Sequence, residues 1–216
     1  MVLQQIFNMP PLTGIIVFSS SLLSYATYVQ YLNPSSLYLN YKLAFSDQFQ
    51  PWRALTSILY FGNLDIITIM RLIFFQSISS SLEMHTFVGF ANYLYYLILN
   101  FITITLIGLW MNEYSLTQFL IEALMYVWGR KNQERPLLFL FVIQVQAQYM
   151  VWFLLLLNVI SGKSIQSNLI GVMIGHTFYY FTFIVPKLPR FKGLQLLSTP
   201  KFLINICQSF ERQNGR

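Results

Sequence analysis

Residues 86–112 read TFVGFANYLYYLILNFITITLIGLWMN and contain no Asp, Glu, Lys or Arg. A helix needs roughly 20 apolar residues to cross a hydrocarbon core ~30 Å thick, so this stretch can span a bilayer by itself. Two further charge-free runs, residues 136–162 and 164–186, are of similar length, and no charge precedes Lys42. Over 216 residues only 9% are charged and 56% are hydrophobic, with a mean hydropathy of +0.55. A soluble domain carries about 25% charged residues. A soluble fold of this size could neither cover its surface with so little charge nor bury several such helices. The composition is also the opposite of a disordered chain. An ordinary soluble enzyme or binding domain is excluded, which leaves an all-α, polytopic membrane protein.

Six spans are expected, at about 12–32, 54–78, 88–111, 115–129, 137–160 and 165–186, with a membrane domain over 1–190 and a short basic tail over 191–216. Pro10-Pro11 opens the first span and Asn33-Pro34 closes it. Pro186 and Pro189 end the sixth. The fourth span is short. It must cross a thinned bilayer, extend into a polar end, or be enclosed by its neighbours. The first eleven residues hold no Lys or Arg, so the first span is expected to act as an uncleaved membrane signal.

The basic residues set an orientation. One side holds Lys42, Arg53 and Lys163. The other holds Arg130, Lys131, Arg135, Lys187, Arg190, Lys192, Lys201, Arg212 and Arg216. Nine against three places both termini on the cytosolic or matrix side. The net charge of +6 is thereby explained by membrane lipid and topology, with no interleaved basic–aromatic patch for nucleic acid. The first loop, about 33–53, carries Tyr38, Tyr41, Phe45, Phe49 and Trp52, which suits the headgroup region. The single Cys207 excludes an internal disulfide.

A few residues stand out chemically. Gly171 and Gly175 lie four apart on the sixth helix, where absent side chains let a neighbouring backbone approach. Trp52-Arg53 sits where the first loop meets the second helix, and the guanidinium can donate to loop carbonyls or lipid phosphates. Asp65, Arg71 and Glu122 are the intramembrane charges, with Asp65 near a span end. Ionisable groups in a bilayer are functional suspects. Glu122 is the most costly. It can pair with Arg71 across the bundle, be neutral, or face water or a partner subunit. His176 is expected in an interhelical hydrogen bond rather than on a metal, since no second His or carboxylate shares its span. Gln146 adds a polar group to the fifth span. No cofactor or metal is expected.

Several segments in order resemble the Derlin family, rhomboid-like pseudoproteases. They are Met9-Pro10-Pro11-Leu12-Thr13, Asn33-Pro34 with Leu37-Tyr38-Leu39-Asn40, and Trp52-Arg53 with Leu55-Thr56 and Phe61-Gly62. Then come Leu82-Glu83 with Phe87, and Tyr126-Val127-Trp128-Gly129-Arg130-Lys131-Asn132. Gln146-Ala147 with Tyr149 and Trp152 follows, then Gly162-Lys163-Ser164-Ile165 with Leu169-Ile170-Gly171 and Gly175-His176, and finally Leu197-Ser198-Thr199-Pro200. The resemblance covers essentially the whole chain. It implies a six-helix rhomboid-like bundle with both termini cytosolic, and Gly171 and Gly175 packed on the fourth helix. It also implies a role in endoplasmic-reticulum-associated degradation. There the protein would bind misfolded substrates, thin the bilayer to aid their retrotranslocation, and work with a ubiquitin ligase complex and a cytosolic ATPase.

An active rhomboid would need a Gly-x-Ser-Gly setting near residues 114–118 and a His at the position of Asn168. Neither is present, so Ser115 or Thr117 would lack a base. His176 lies eight residues on, ~12 Å along the helix axis. A non-proteolytic protein is expected. The chain departs from the family at Met84-His85, Ser79-Ser80-Ser81, Gln148, Val151, Thr182 and Phe183, where the family has acids, a base or prolines. Its tail has no Gly-rich ATPase-recruiting motif. These losses keep open a second reading: a Derlin fold serving as a structural subunit of a large membrane assembly, such as a respiratory complex of the mitochondrial inner membrane.

Overall fold

The computed structural model describes residues 9–46, 49–139, 143–160, 165–189 and 196–214. Lys163, Arg190, Lys192 and Arg216 of the charge count lie outside the described residues, as do Gly162 and Ser164. The chain is mostly helical. Helix α1, Pro11–Tyr28, starts with proline at its first position, where the missing amide proton costs nothing and φ is already helical. The first loop follows, with a 3-10 turn at Pro34–Ser36 and a π turn at Lys42–Ser46. Helix α2 is Trp52–Leu59 and α3 is Ile66–Ser81, prolonged by a π turn to Thr86. Helices α4, Phe90–Met111, and α5, Thr117–Lys131, come next. After a hairpin, α6 is Ala147–Ile160. Helix α7, Gln166–Tyr179, runs on through π and 3-10 turns to Lys187, and α8 is Lys201–Asn214.

Three of these helices have the length and apolarity to cross a membrane: Ile66–Thr86, Phe90–Met111 and Gln166–Lys187. Two expected spans differ from the sequence reading. The second, expected at 54–78, is broken between Leu59 and Ile66. Gly62 sits there at φ +124°, and Asp65 caps α3 by accepting from the Thr68 amide at 2.6 Å. An Asx cap starts a helix; it does not continue one. The fifth, expected at 137–160, is not helical at its start. Strands β1, Pro136–Phe139, and β2, Ile143–Gln146, pair antiparallel with Pro136 opposite Gln146. Proline disfavours helix for the residue before it, and β2 alternates β-branched Ile143 and Val145 with glutamine, a pattern that suits a strand. One two-stranded hairpin in a mostly helical chain leaves the all-α membrane class standing.

Helix α5 is the hub. Of its 15 residues, 11 are buried, and it packs on α7 and α6 most closely and also on α2, α3 and α4. The fourth span is therefore enclosed by its neighbours, the third of the solutions open to a short helix. Around it the core holds Phe75, Leu82, Tyr93, Ile104, Phe119, Leu124 and Met150. Outward-facing Phe18, Leu106, Trp110 and Met173 are more than half exposed, the surface a protein presents to lipid.

Candidate functional site

Among the described residues the most extensive helix–helix seam lies between α5 and α7. A Cβ on Gly171 would stand 2.7 Å from Glu122 Cβ and 3.1 Å from the Phe119 carbonyl oxygen. One on Gly175 would stand 2.6 Å from the Ala123 carbonyl oxygen and 2.9 Å from Ala123 Cα. Only glycine fits at such approaches without backbone movement. Gly129 does the same on the other side of α5, facing the Ala147 carbonyl oxygen at 2.5 Å. The space left by Gly171 is taken up by the stem of Glu122, so the small-residue motif and the intramembrane carboxylate form one unit.

Glu122 is 1% exposed. Its Oε1 accepts from Gln118 Nε2 at 2.8 Å and from Asn168 Nδ2 at 2.8 Å, while Oε2 has no partner. Arg71 is exposed on α3 and takes no part in this cluster. Two amides bond one oxygen of the carboxyl group, in place of the cross-bundle ion pair. Asn168 is engaged as a donor to Glu122. Thr117, the candidate hydroxyl, donates to the Tyr60 carbonyl at 2.7 Å and also lies 3.2 Å from the Ser57 carbonyl. That bond ties the start of α5 to the end of α2.

His176 Nδ1 lies 2.7 Å from the Tyr126 hydroxyl, with the two rings edge to face at 5.5 Å. The contact joins α7 to α5 one residue beyond Gly175. Gln146 is exposed at the hairpin end and accepts from Gln148 Nε2 at 2.9 Å; it does not lie in a helix. Among the described residues no three His, Cys, Asp or Glu come together as metal ligands.

The first loop is held by Arg53, 6% exposed. Its Nη1 donates to the carbonyls of Ser35 at 2.8 Å and Tyr38 at 3.1 Å, and its Nε donates to Gln50 Oε1 at 2.6 Å. A planar guanidinium can serve two directions at once. Thr56 adds a hydroxyl bond to the Leu37 carbonyl at 3.0 Å, and the Leu39 amide donates to the Tyr114 carbonyl at 3.0 Å. Leu37, Leu39 and Ala44 are buried beneath the loop. Trp52 is 55% exposed and points away from this anchor.

One site escaped sequence reasoning. Glu83, 6% exposed, accepts from the Leu12 amide through Oε1 at 3.0 Å and from the Thr13 amide through Oε2 at 2.8 Å. Oε2 also accepts from the Thr13 hydroxyl at 2.7 Å. Thr13 Oγ1 in turn contacts Ser79 Oγ at 2.8 Å, which contacts the Tyr93 hydroxyl at 2.7 Å. Helix α1 has no side-chain cap and no acid in its first turn. A carboxylate some 70 residues away supplies both the hydrogen bonds and the negative charge that a helix N-terminus favours. The only sequence signal was the family-like Leu82-Glu83 pair.

The model of the Der1-like family matches residues 9–201. The chain is similar to Derlin-1.2 of Zea mays, at 31% identity over 209 residues, covering 94% of this chain and 83% of the relative. It is similar to Derlin-1 of Homo sapiens at 34% identity over 176 residues, covering 80% and 69% respectively. Derlin-1 of Bos taurus is 35% identical over 164 residues, covering 74% and 64%.

Proposed function

The chain belongs to the Der1-like family, and from that we propose that it is a non-proteolytic integral membrane protein that helps misfolded proteins leave the endoplasmic reticulum for degradation. In this reading both termini face the cytosol and six segments reach into the membrane. A misfolded substrate is bound at the side of the bundle and the surrounding bilayer is thinned. A ubiquitin ligase complex and a cytosolic ATPase are the working partners.

The observation that carries the reading is the state of α5 and α7. The hydroxyl of Thr117 is spent on a backbone carbonyl, and Asn168 is spent on Glu122. Neither is poised to attack a peptide bond, and an amide cannot act as a general base.

The test is isolation of the native assembly in mild detergent, with identification of what travels with the protein. Ubiquitin-ligase and ATPase components are expected, together with slower turnover of a misfolded membrane reporter when the gene is deleted. Co-migration with respiratory-chain subunits and unchanged reporter turnover would overturn the proposal.

A further inference from the structure

A groove of about 490 Å³ opens between the start of α4, the end of α7 and the segment leading into α8. Its size falls within the roughly 300–1,000 Å³ of pockets that hold small molecules. Its floor is aromatic and preformed. Phe87 stacks on Tyr96 at 4.3 Å between centroids and meets Phe183 at 5.7 Å. Leu99 deepens it. At its edge Val88 is 71% exposed and Phe181 is 38% exposed. Apolar side chains left open beside an apolar groove in a membrane protein adjoin acyl chains, not water.

The other end of the groove is polar, and the elements next to it carry lysines that do not themselves line it. The Thr199 hydroxyl donates to Asn92 Oδ1 at 2.7 Å, pinning the segment before α8 to α4. Lys187 directly follows the lining residue Pro186, and Lys201 opens α8 two residues after Thr199. Lys131 Nζ lies 4.4 Å from the centroid of the Phe183 ring, which lines the groove. All three lysines are exposed. No acid lines the groove among the described residues.

A groove with an aromatic floor, open at one edge toward hydrocarbon and flanked by segments that carry three lysines, matches an amphiphile with an apolar tail and an anionic head. We propose that this groove binds one anionic phospholipid, with an acyl chain on the Phe87–Tyr96–Phe183 floor and the phosphate beside Lys131, Lys187 and Lys201. Basic pockets between membrane helices on the positively charged side are suited to such headgroups. The lipid would fasten α8 and the preceding segment to the bundle, since the groove is shared between them and α4.

The test is titration of the full-length protein in detergent with dioleoyl phosphatidic acid or dioleoyl phosphatidylcholine, read by native mass spectrometry. One phosphatidic acid should bind per chain, in preference to phosphatidylcholine, and inorganic phosphate should not displace it. Each Lys→Gln change among the three should weaken binding about fivefold, from ~1 kcal/mol per basic residue at a membrane surface. K131Q/K187Q should remove the preference, whereas K42Q in the first loop should not change it. L99W should block both lipids by filling the slot. Equal binding of the two lipids, or wild-type preference in K131Q/K187Q, would overturn the proposal. A co-purifying polypeptide in the groove that excludes lipid would do so too. The lysine variants lie on the surface and leave folding intact, so a folding defect in L99W would not obscure the result.

Discussion

Glu83 and Thr13 are joined twice: Oε2 of the carboxylate accepts the Thr13 amide at 2.8 Å and the Thr13 hydroxyl at 2.7 Å. With the Leu12 amide on Oε1, the start of α1 is fixed to the end of α3 by one buried anion. Removing the anion leaves two amides of a helix N-terminus without an acceptor in a buried place. Hydrogen bonds to charged groups contribute roughly 1.5–3 kcal/mol each and orphaned donors cost about as much. Glu83→Ala should therefore destabilise by about 3 kcal/mol. Thr13→Ala keeps the amide and should cost about 1 kcal/mol. Thermal unfolding in detergent gives the order. A Glu83→Ala protein that melts with the wild type, or above Thr13→Ala, would refute the clamp.

The glycines on α7 make a graded prediction. Gly175→Ala places a methyl 2.6 Å from the Ala123 carbonyl oxygen, and Gly171→Ala places one 2.7 Å from Glu122 Cβ. Either must push α7 off α5 and loosen the Glu122 and His176 bonds. Gly14 on α1 has its nearest neighbour at 3.9 Å, and Gly14→Ala replaces a poor helix former with a good one. The first two should lower the melting temperature, with Gly175→Leu failing to assemble, while Gly14→Ala should leave it level or raise it. Size-exclusion profiles and melting curves read both. Normal assembly of Gly175→Leu would refute the close seam.

Arg53 reaches three acceptors from two nitrogens of one plane. Lysine keeps the charge but has a single donor centre and cannot hold Gln50 and both loop carbonyls together. Arg53→Lys should free residues 34–40. Hydrogen exchange of the amides in that stretch should rise, with Leu39, bonded to Tyr114, among the most affected. Exchange unchanged from the wild type would show that buried Leu37 and Leu39 hold the loop by packing alone.

Asp65 lends itself to a pH test. The Thr68 amide bonded to its carboxylate holds its pKa below the ordinary 3.8. A depressed pKa means that its contribution is complete above the ordinary value and is lost as pH falls through the folded-state value. Asn is also a good N-cap, so Asp65→Asn should match the wild type near neutral pH. Below about pH 4 the wild type should lose stability relative to Asp65→Asn. Parallel curves throughout that range would show that the cap carries no linked proton.

Much of this was legible in residue order because membrane insertion is decided by composition over about 20 residues. The charge-free run 86–112 became α4, and Gly171 and Gly175 face α5 through a spacing visible in the sequence. What was hidden depended on pairs far apart in the chain. Glu83 looks like an ordinary helix-end acid until α1 is placed above it. The break at 60–65 was masked by the apolar residues around it, since hydropathy averages over a Gly-Asn-Leu-Asp turn. The hairpin before α6 was missed for the same reason: Leu, Phe, Val and Ile satisfy a span and a strand equally well. Arg71 drew attention as an intramembrane charge, yet its side chain is exposed and Glu122 is served by amides.

That last contrast can be decided by substitution. If Glu122 depended on Arg71, Arg71→Gln would strand a buried carboxyl group and cost several kcal/mol. With Gln118 and Asn168 as the partners, Arg71→Gln should show no coupling to Glu122→Gln in a double-mutant cycle. Glu122→Gln retains an acceptor oxygen for the two amides and should be tolerated. Glu122→Leu leaves both amide groups without an acceptor in the interior and should cost about 2–3 kcal/mol. Asn168→Leu in the Glu122→Leu background should recover part of that loss, because it removes the buried one of the two unmet amides and leaves only the half-buried Gln118. A double-mutant cycle read by melting in detergent measures the coupling. Additive losses in the two variants, or coupling of Arg71→Gln to Glu122→Gln, would mean that the carboxyl group is held by something other than Asn168.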